Sequence, residues 1–219
     1  AHKLYQDCFA AQLAKTASPE RPSAPSEPPT SAPTTTTPST TVAPTTTQPP
    51  TLTPLPRDVL PKNSDIPPEI AQLIIPSKYF SAIELAAQIR NESHFNPNAV
   101  SDAGAQGIAQ IMPSTWKGVG RDDPSDPDTI ASPFNVVEAL DAQRRIMDGH
   151  FEHVNKLLQA GKIHGNPHDL TLAAYNAGIG AVQRAHGIPK KTETQEYIKR
   201  IDFDSDRYAR AVILEAMNK

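Results

Sequence analysis

The feature that most limits what this chain can fold into is a proline- and threonine-rich tract near its N-terminus. About half of the 23 prolines lie between Pro19 and Pro56, and no aromatic residue occurs between Phe9 and Tyr79. Proline removes backbone donors and threonine adds little apolar area, so ordering this tract would cost conformational entropy that no burial offsets. We therefore predict that residues 18–65 form a disordered linker, partly in polyproline II conformation.

The segments on either side of this linker differ in length and in what they can bury. Residues 1–17 could form one short helix, which is too short to be stable in water without packing against something. Residues 66–219 are long enough to bury a hydrophobic core, and we assign them to a single domain. Cys8 is the only cysteine, which rules out an internal disulfide framework.

The composition also bears on location and on partners. Serine- and threonine-rich tracts with proline are typical of O-glycosylated stalks in exported proteins. We therefore expect a secreted or cell-envelope protein, in the cell wall or periplasm, with delivery by a virion as an alternative. The net charge of -3 gives no electrostatic basis for binding nucleic acid. No apolar run is long enough to span a bilayer.

The seven histidines do not form a pattern typical of a metal site. His150 and His153 share a predicted helix face, and His164 and His168 flank a Gly/Pro segment. The HExxH and Cys/His spacings that bind zinc are absent. We therefore predict solvated histidines, no metal and no cofactor.

Beyond the linker the periodicity is mainly helical. A short helix is predicted from Pro67–Pro68 through Ile74, where Pro76 stops it. Four longer segments follow at helical spacing: 135–158, 170–177 with Asp169 as its cap, 194–201 and 206–217. The Gly-, Asp- and Pro-rich residues from Trp116 to Pro133 should be irregular, and the fold class is mainly α with at most a small β element near residues 104–110.

The stretch from Ile83 to Pro113 places one carboxylate beside a loop of small residues. Glu92 comes at the end of a mostly apolar helix, just before Pro97 interrupts the pattern. Cutting a glycosidic bond requires a carboxylic acid that stays protonated near neutral pH. Burial and the negative end of a helix dipole both raise a carboxyl pKa. Glu92 is therefore a candidate catalytic acid, and the alternative is a solvated glutamate at a helix end.

Three ordered blocks of sequence resemble the catalytic domain of the soluble lytic transglycosylases. They are Glu92-Ser93 with Asn96-Pro97, then the run from Gly104 to Pro113, and finally the run from Ala174 to Gly178. The resemblance covers roughly residues 66–203. It implies an α+β lysozyme-like fold of the goose-type lysozyme kind, on the mainly helical domain expected above.

The resemblance also implies an activity and a partner. Members of this family cleave the MurNAc-GlcNAc β-1,4 bond of peptidoglycan without hydrolysis. The substrate's N-acetyl group assists departure, and one glutamate acts first as acid and then as base on the C6 hydroxyl, giving a 1,6-anhydro end. On this chain that glutamate would be Glu92, the partner would be peptidoglycan glycan strands, and we expect a monomer.

The family motifs further imply a set of substrate-binding residues. A serine lies near the N-acetyl group, a Gln-x-Met segment lines the sugar subsites, and a tyrosine in the AYNAG block points at the glutamate. The matching positions, with the tyrosine of a closing ETxxY motif, are Ser101, Gln110, Met112, Tyr175, Asn176 and Tyr197. For Met112 the alternative is core packing. Two departures from the common pattern, Asp102 and Ala109, lie in the loop.

Two other functions remain open from the residues alone. A lysozyme-type muramidase on the same fold would normally use a second carboxylate, with Asp102 or Asp122 positioning water and Asp123 or Asp126 as further candidates. Such residues in Gly/Pro-rich segments more often form turns. A non-catalytic glycan-binding module is the third function considered, but binding alone does not require an acid at position 92.

Overall fold

The structure is a computed structural model that describes residues 58–119 and 132–218. The helices in these ranges are α1 (Pro68–Ala71), α2 (Ala82–Ser93), α3 (Pro113–Val119), α4 (Val136–Gln159), α5 (Pro167–Ala177), α6 (Ile179–Ala185) and α7 (Thr192–Met217). Two isolated antiparallel bridges pair Gln106 with Val100 and with Ile111. The prediction of a mainly helical domain with a small β element near residues 104–110 is confirmed. We call residues 101–112 the glycine loop.

Several sequence predictions fall on residues that lie outside the described ranges. They are the short N-terminal helix with Cys8, most of the Pro/Thr-rich linker, and the carboxylates Asp122, Asp123 and Asp126. Asp58 to Asp65 are described although the sequence analysis places them in the linker. There the backbone N–H groups of Lys62 and Asn63 donate to the carboxylate of Glu215 on α7, at 3.0 and 2.7 Å.

Helix α2 is the central element of the core. Ser81 caps it through a capping box with Glu84, in which each side chain accepts from the other residue's backbone N–H, so two otherwise unpaired donors are satisfied. Most of its side chains are buried, on nearly all sides. The helix ends because His94 and Phe95 both adopt positive φ, 53° and 63°. A left-handed conformation is costly for a non-glycine residue, and the burial of Phe95 holds it in place.

Helices α4 and α5 agree with the predicted helices except at one cap. Asn135 caps α4 by accepting from the N–H groups of Val137 and Glu138, and the helix is continuous through Gly149. The prediction that Asp169 caps α5 is wrong, because Asn166 accepts from His168 and Asp169. Pro167 then fills the first helical position, where its missing N–H is harmless, so the helix begins three residues before Leu170.

The two helices predicted at the C-terminus form one continuous helix, α7. No glycine or proline occurs between Thr192 and Met217, so nothing in the backbone interrupts it. Asp204 lies in the polar stretch between the two predicted segments and is 3% exposed. Its carboxylate accepts from Arg90 at 3.0 Å and from Arg207 at 3.2 Å, and a buried charge is tolerated when it is paired in this way.

Two shorter helices also differ from the predictions. Trp116 to Val119 are helical rather than irregular, because Pro113 starts a helix whose Thr115 and Trp116 N–H groups donate to the carbonyl of Met112. Helix α1 ends at Ala71 instead of continuing to Ile74. A turn follows it, in which the N–H groups of residues 73 and 74 both donate to Ile70.

Packing among the helices brings three separate segments of the chain together around the end of α2. Helix α7 packs along α2, and α5 contacts α4, α6 and α7. The C-terminal end of α2 therefore lies near the start of α7 and the end of α5. Within residues 58–119 and 132–218, no helix is both long and apolar enough to cross a membrane.

Candidate active site

Glu92 lies in the last turn of α2 and is partly buried. Burial raises the pKa of its carboxyl from the ordinary 4.5 to about 7, and a hydrogen bond from Tyr197 opposes that rise. Desolvation disfavours the charged form, whereas a donor to the carboxylate favours it. A pKa near the working pH is what an acid that must also act as a base requires. Glu92 therefore has the protonation behaviour expected of the predicted catalytic acid.

Tyr197 is the residue that hydrogen-bonds to Glu92. Its hydroxyl donates to Oε1 of Glu92 at 2.5 Å, and its ring is buried. Burial, with the Glu92 carboxylate nearby, raises the pKa of Tyr197 well above its usual value. The hydroxyl therefore keeps its proton and remains a donor at neutral pH.

Tyr175 contacts the loop instead of the acid. Its hydroxyl donates to the backbone carbonyl of Ala109 at 2.8 Å. It still lies close enough to Glu92 for that carboxylate, after burial, to raise the pKa of Tyr175 well above its ordinary value. Tyr175 therefore interacts with Glu92 through charge and not through a hydrogen bond. Its hydrogen bond links the end of α5 to the glycine loop.

Asn176 ties the AYNAG block to the start of α7. Its Oδ1 accepts from the hydroxyl of Thr194 at 2.8 Å, and Thr194 is 1% exposed. Thr194 belongs to the same ETxxY segment as Tyr197. The contact therefore helps fix the turn of α7 that presents Tyr197 to Glu92.

The glycine loop is attached to α2 by the serine that follows Glu92. The hydroxyl of Ser93 donates to the carbonyl of Ile108 at 2.7 Å. Gly107 has φ +75°, and a Cβ there would lie 1.7 Å from the carbonyl oxygen of Pro133. Only glycine permits this approach of two backbones. The Ser93 hydrogen bond therefore attaches the loop to the end of α2, and Gly107 lets the loop approach the backbone at Pro133.

Ser101 and Gln110 both take part in the internal structure of this loop. The Oγ of Ser101 accepts from the N–H of Ala105 at 3.0 Å. Gln110 has φ 49°, and its amide nitrogen donates to the carbonyls of Ala99 and Gly107 at 3.1 and 2.9 Å. These bonds use both amide hydrogens of Gln110, so its side-chain oxygen is the group that a substrate could contact.

Two other loop residues are exposed. Met112 is 39% exposed, so core packing, the alternative considered for it, does not describe its position. Asp102 lies in an exposed turn after Ser101, as expected of a turn-forming residue. No cluster of His, Cys, Asp or Glu that could hold a metal ion occurs in the described part of the chain.

Two buried glutamines behind Tyr197 were not found by the sequence analysis. Gln88 and Gln143 are 0% and 1% exposed. The amide nitrogen of Gln88 lies 3.2 Å from the Tyr197 hydroxyl, and that of Gln143 lies 2.7 Å from Oε1 of Gln88. Gln88 precedes Glu92 by four residues, so the two share a helix face, and this spacing is the signal that could have identified it.

Comparisons with known proteins relate this part of the chain to one family. The model of the family described as "Transglycosylase SLT domain" matches residues 77–198. The membrane-bound lytic murein transglycosylase D of Escherichia coli K12 is 29% identical over 128 residues, covering 52% of this chain and 25% of that protein. The membrane-bound lytic murein transglycosylase F of Maricaulis maris is 31% identical over 109 residues, covering 49% and 21%.

Solved structures similar to the chain include the 70 kDa soluble lytic transglycosylase of Escherichia coli. It is 25% identical, with a TM-score of 0.39 over 61% of this chain and 22% of that one. The chain spans about a quarter of the length of the first curated relatives it matches.

Proposed function

Because the chain belongs to the transglycosylase SLT domain family, we propose that it is a peptidoglycan lytic transglycosylase. It cleaves the MurNAc-GlcNAc β-1,4 bond without hydrolysis and leaves a 1,6-anhydro-MurNAc end, in remodelling or lysis of the cell wall. The observation that carries this proposal is Glu92, a partly buried carboxyl with a pKa of about 7 at the junction of α2 and the glycine loop.

Glu92 acts in both steps of the reaction. The protonated carboxyl gives its proton to the glycosidic oxygen while the bond from that oxygen to C1 of MurNAc breaks, with the substrate's N-acetyl group assisting. The C6 hydroxyl then forms the new bond to C1 and returns a proton to the carboxylate. No water is consumed, and the acid is regenerated for the next cycle. General acid–base assistance of this kind is commonly worth about 10²–10⁴ in rate.

The surrounding residues orient the acid and the sugar. Tyr197 holds Oε1 of Glu92 by its hydrogen bond at 2.5 Å, which leaves Oε2 for the glycosidic oxygen. The exposed Met112 and the side-chain oxygen of Gln110 are proposed to contact the sugars. Ser101, Tyr175 and Asn176 are proposed to complete the set of residues that bind the glycan beside Glu92.

The rest of the chain is proposed to deliver this domain to its substrate. The catalytic domain covers about residues 66–219. Lys62, Asn63 and Asp65 contact α7, which supports adding the residues just before position 66 to this domain. The Pro/Thr-rich segment serves as a tether in a secreted or envelope location, with virion delivery as the alternative. We propose that the domain acts as a monomer on glycan strands.

Digestion of purified peptidoglycan, followed by mass spectrometry of the muropeptides, tests this function. A lytic transglycosylase releases anhydro ends, which lack the mass of one water relative to hydrolysed ends. Hydrolysed ends alone would identify a muramidase. Binding of glycan without any released product would identify a non-catalytic module.

A further inference from the structure

A line of buried side-chain hydrogen bonds connects α4 to the proposed catalytic acid through the protein core. It begins at Gln143 on α4, passes through Gln88 on α2 and Tyr197 on α7, and ends at Glu92. Gln88, Gln143 and Tyr197 are 0%, 1% and 3% exposed. A buried amide is costly unless it is hydrogen-bonded. The presence of two glutamines in this apolar core therefore requires an explanation.

The direction of every hydrogen bond in this line is fixed by its first member. A backbone carbonyl can only accept, and the amide nitrogen of Gln143 lies 3.2 Å from the carbonyl oxygen of Leu85. Its second N–H donates to Oε1 of Gln88, which leaves the amide nitrogen of Gln88 facing the oxygen of Tyr197. Since Tyr197 accepts from Gln88, its own hydrogen points to Glu92.

We propose that Gln88 and Gln143 are positioning residues that hold the Tyr197 hydroxyl as a donor to Glu92. In this arrangement all three bonds point toward the acid, and hydrogen bonds in such a line strengthen one another. The glutamines touch neither the substrate nor the reacting atoms. Their role deepens the proposed function, on which it rests, by naming what sets the protonation of the acid.

We call the hydrogen bonds from Gln143 through Gln88 to Tyr197 the relay. The groups around Glu92 allow the effect of this relay on the Glu92 pKa to be isolated. Among the residues that the structure describes, Tyr197 on α7 and Tyr175 on α5 are the titratable groups that interact with Glu92, and burial holds the pKa of each tyrosine well above its usual value. Arg90, on the same helix, pairs with Asp65 and Asp204. Both tyrosines therefore stay neutral around pH 7, and a change in the Glu92 pKa reports on hydrogen bonding and burial.

Removing the relay should raise the pKa of Glu92. Without Gln88 the Tyr197 hydroxyl loses its donor, becomes a weaker donor itself and is held less firmly. The carboxylate is then less stabilised relative to the protonated acid. The bond from Tyr197 to the Glu92 carboxylate is worth roughly one to two pH units. If each bond in a line strengthens the next by roughly 10–30%, the Glu92 pKa in Gln88→Met should rise by about 0.3 pH units. Gln143→Met should show a smaller shift of the same sign.

The experiment is an NMR titration of the Glu92 side-chain carboxyl carbon in the full chain, with the signal assigned by its loss in Glu92→Gln. We expect the pKa to increase in the order wild type, Gln143→Met, Gln88→Met, Tyr197→Phe. Val154→Ala, which removes buried volume from α4 at a fully buried position outside the relay, is the matched control and should leave the pKa unchanged. A Gln88→Met pKa within about 0.1 units of wild type, or an equal shift in Val154→Ala, would overturn the proposal.

A double variant keeps the test decisive if a single one does not fold. Gln88→Met with Gln143→Met removes both buried amides at once, and replacing both partners of a hydrogen bond with apolar groups can be nearly neutral. Failure of Gln88→Met, Gln143→Met and the double variant to fold would also overturn the proposal, because the two glutamines would then be required for folding of the core. If the variants show the expected order of pKa values but the wild-type protein cleaves no peptidoglycan, the proposed function is refuted and the proposal about Gln88 and Gln143 still stands.

Discussion

The hydroxyl of Tyr197 lies 2.5 Å from Oε1 of Glu92 and donates a hydrogen bond to it. The two residues are 105 positions apart in the sequence and meet because α7 packs along α2. The bond stabilises the carboxylate, whereas burial stabilises the protonated acid. The balance of these two effects places the pKa of Glu92 near 7, and the first prediction follows from it.

Tyr197→Phe should shift the activity of the protein toward higher pH. Because the reaction starts from protonated Glu92, the rate should fall as the pH rises through its pKa, about 7 in the wild type. Loss of a hydrogen bond to a charged group costs about 1.5–3 kcal/mol, which corresponds to roughly one to two pH units. The pH dependence of muropeptide release measures the shift. An unchanged basic limb would show that the bond does not set the pKa.

Tyr175→Phe should have a different signature. Its hydroxyl donates to the backbone carbonyl of Ala109, a neutral bond worth about 0.5–1.5 kcal/mol, so we expect a loss of thermal stability of that order. Turnover should fall because the loop is held less firmly, while the basic limb of the pH profile stays in place. Paired measurements on Tyr175→Phe and Tyr197→Phe check this, and equal pH shifts in both would contradict it.

Local patterns were sufficient to predict most of the fold. The spacing of apolar residues identified α2 and α4, and the ordered motifs identified the lysozyme-like fold class, which the family match confirms. The boundaries that failed depend on competition between neighbouring residues. Asn166 and Asp169 both resemble caps, and only the position of Pro167 decides between them. The union of two predicted helices into α7 depends on Asp204 finding partners on another helix, which periodicity cannot reveal.

The candidate site divides in the same way. Glu92 could be predicted because its helix and the following loop lie in one stretch of sequence. Which tyrosine bonds to it depends on how α5 and α7 pack. The resemblance implied that Tyr175 points at the glutamate, whereas the hydroxyl that donates to Glu92 belongs to Tyr197 and that of Tyr175 donates to Ala109. Gln88 and Gln143 are polar residues in otherwise apolar patterns. Only the tertiary structure shows that both are buried and that they are hydrogen-bonded to each other.

The stability of the protein should report on the burial of Glu92. Its pKa is about 7 when folded, against an ordinary 4.5, so between these values the folded state holds a proton that the unfolded state has lost. Stability should therefore fall as the pH rises through this window. Glu92→Gln cannot titrate and should be more stable than wild type at pH 8, by at most on the order of 3 kcal/mol, with a smaller difference at pH 4.

Thermal melts at the two pH values measure this difference. Glu69→Gln, a substitution at an exposed position of α1, is the control and should follow the wild type at both. A Glu92→Gln variant whose advantage does not grow between pH 4 and pH 8 would mean that the carboxyl is not desolvated.

The N-terminal boundary of the domain gives a further prediction. Asp65 accepts from Arg90 at 2.6 Å, from Arg207 at 3.0 Å and from the buried Tyr208 at 2.9 Å, and these partners, against the effect of burial, lower its pKa to about 2. A chain that starts at Ile66 should fold and cleave peptidoglycan, but it should melt at a lower temperature than one that starts at Asp58.

Asp65→Asn in the longer chain separates charge from length. It should reproduce part of the decrease in melting temperature, because the amide keeps the side chain's shape but loses the ion pairs. Equal melting temperatures for the two chain lengths would show that residues 58–65 contribute nothing to the fold.

The rate of Glu92→Gln on purified peptidoglycan tests the central claim most directly. The amide can neither give a proton to the glycosidic oxygen nor take one from the C6 hydroxyl, and general acid–base assistance is commonly worth about 10²–10⁴ in rate. We predict that the variant still binds muropeptide or chitooligosaccharide and keeps its fold, while the release of anhydro ends falls at least about a hundredfold. A variant that retains more than about a tenth of the wild-type rate would contradict a mechanism in which Glu92 is the single acid and base.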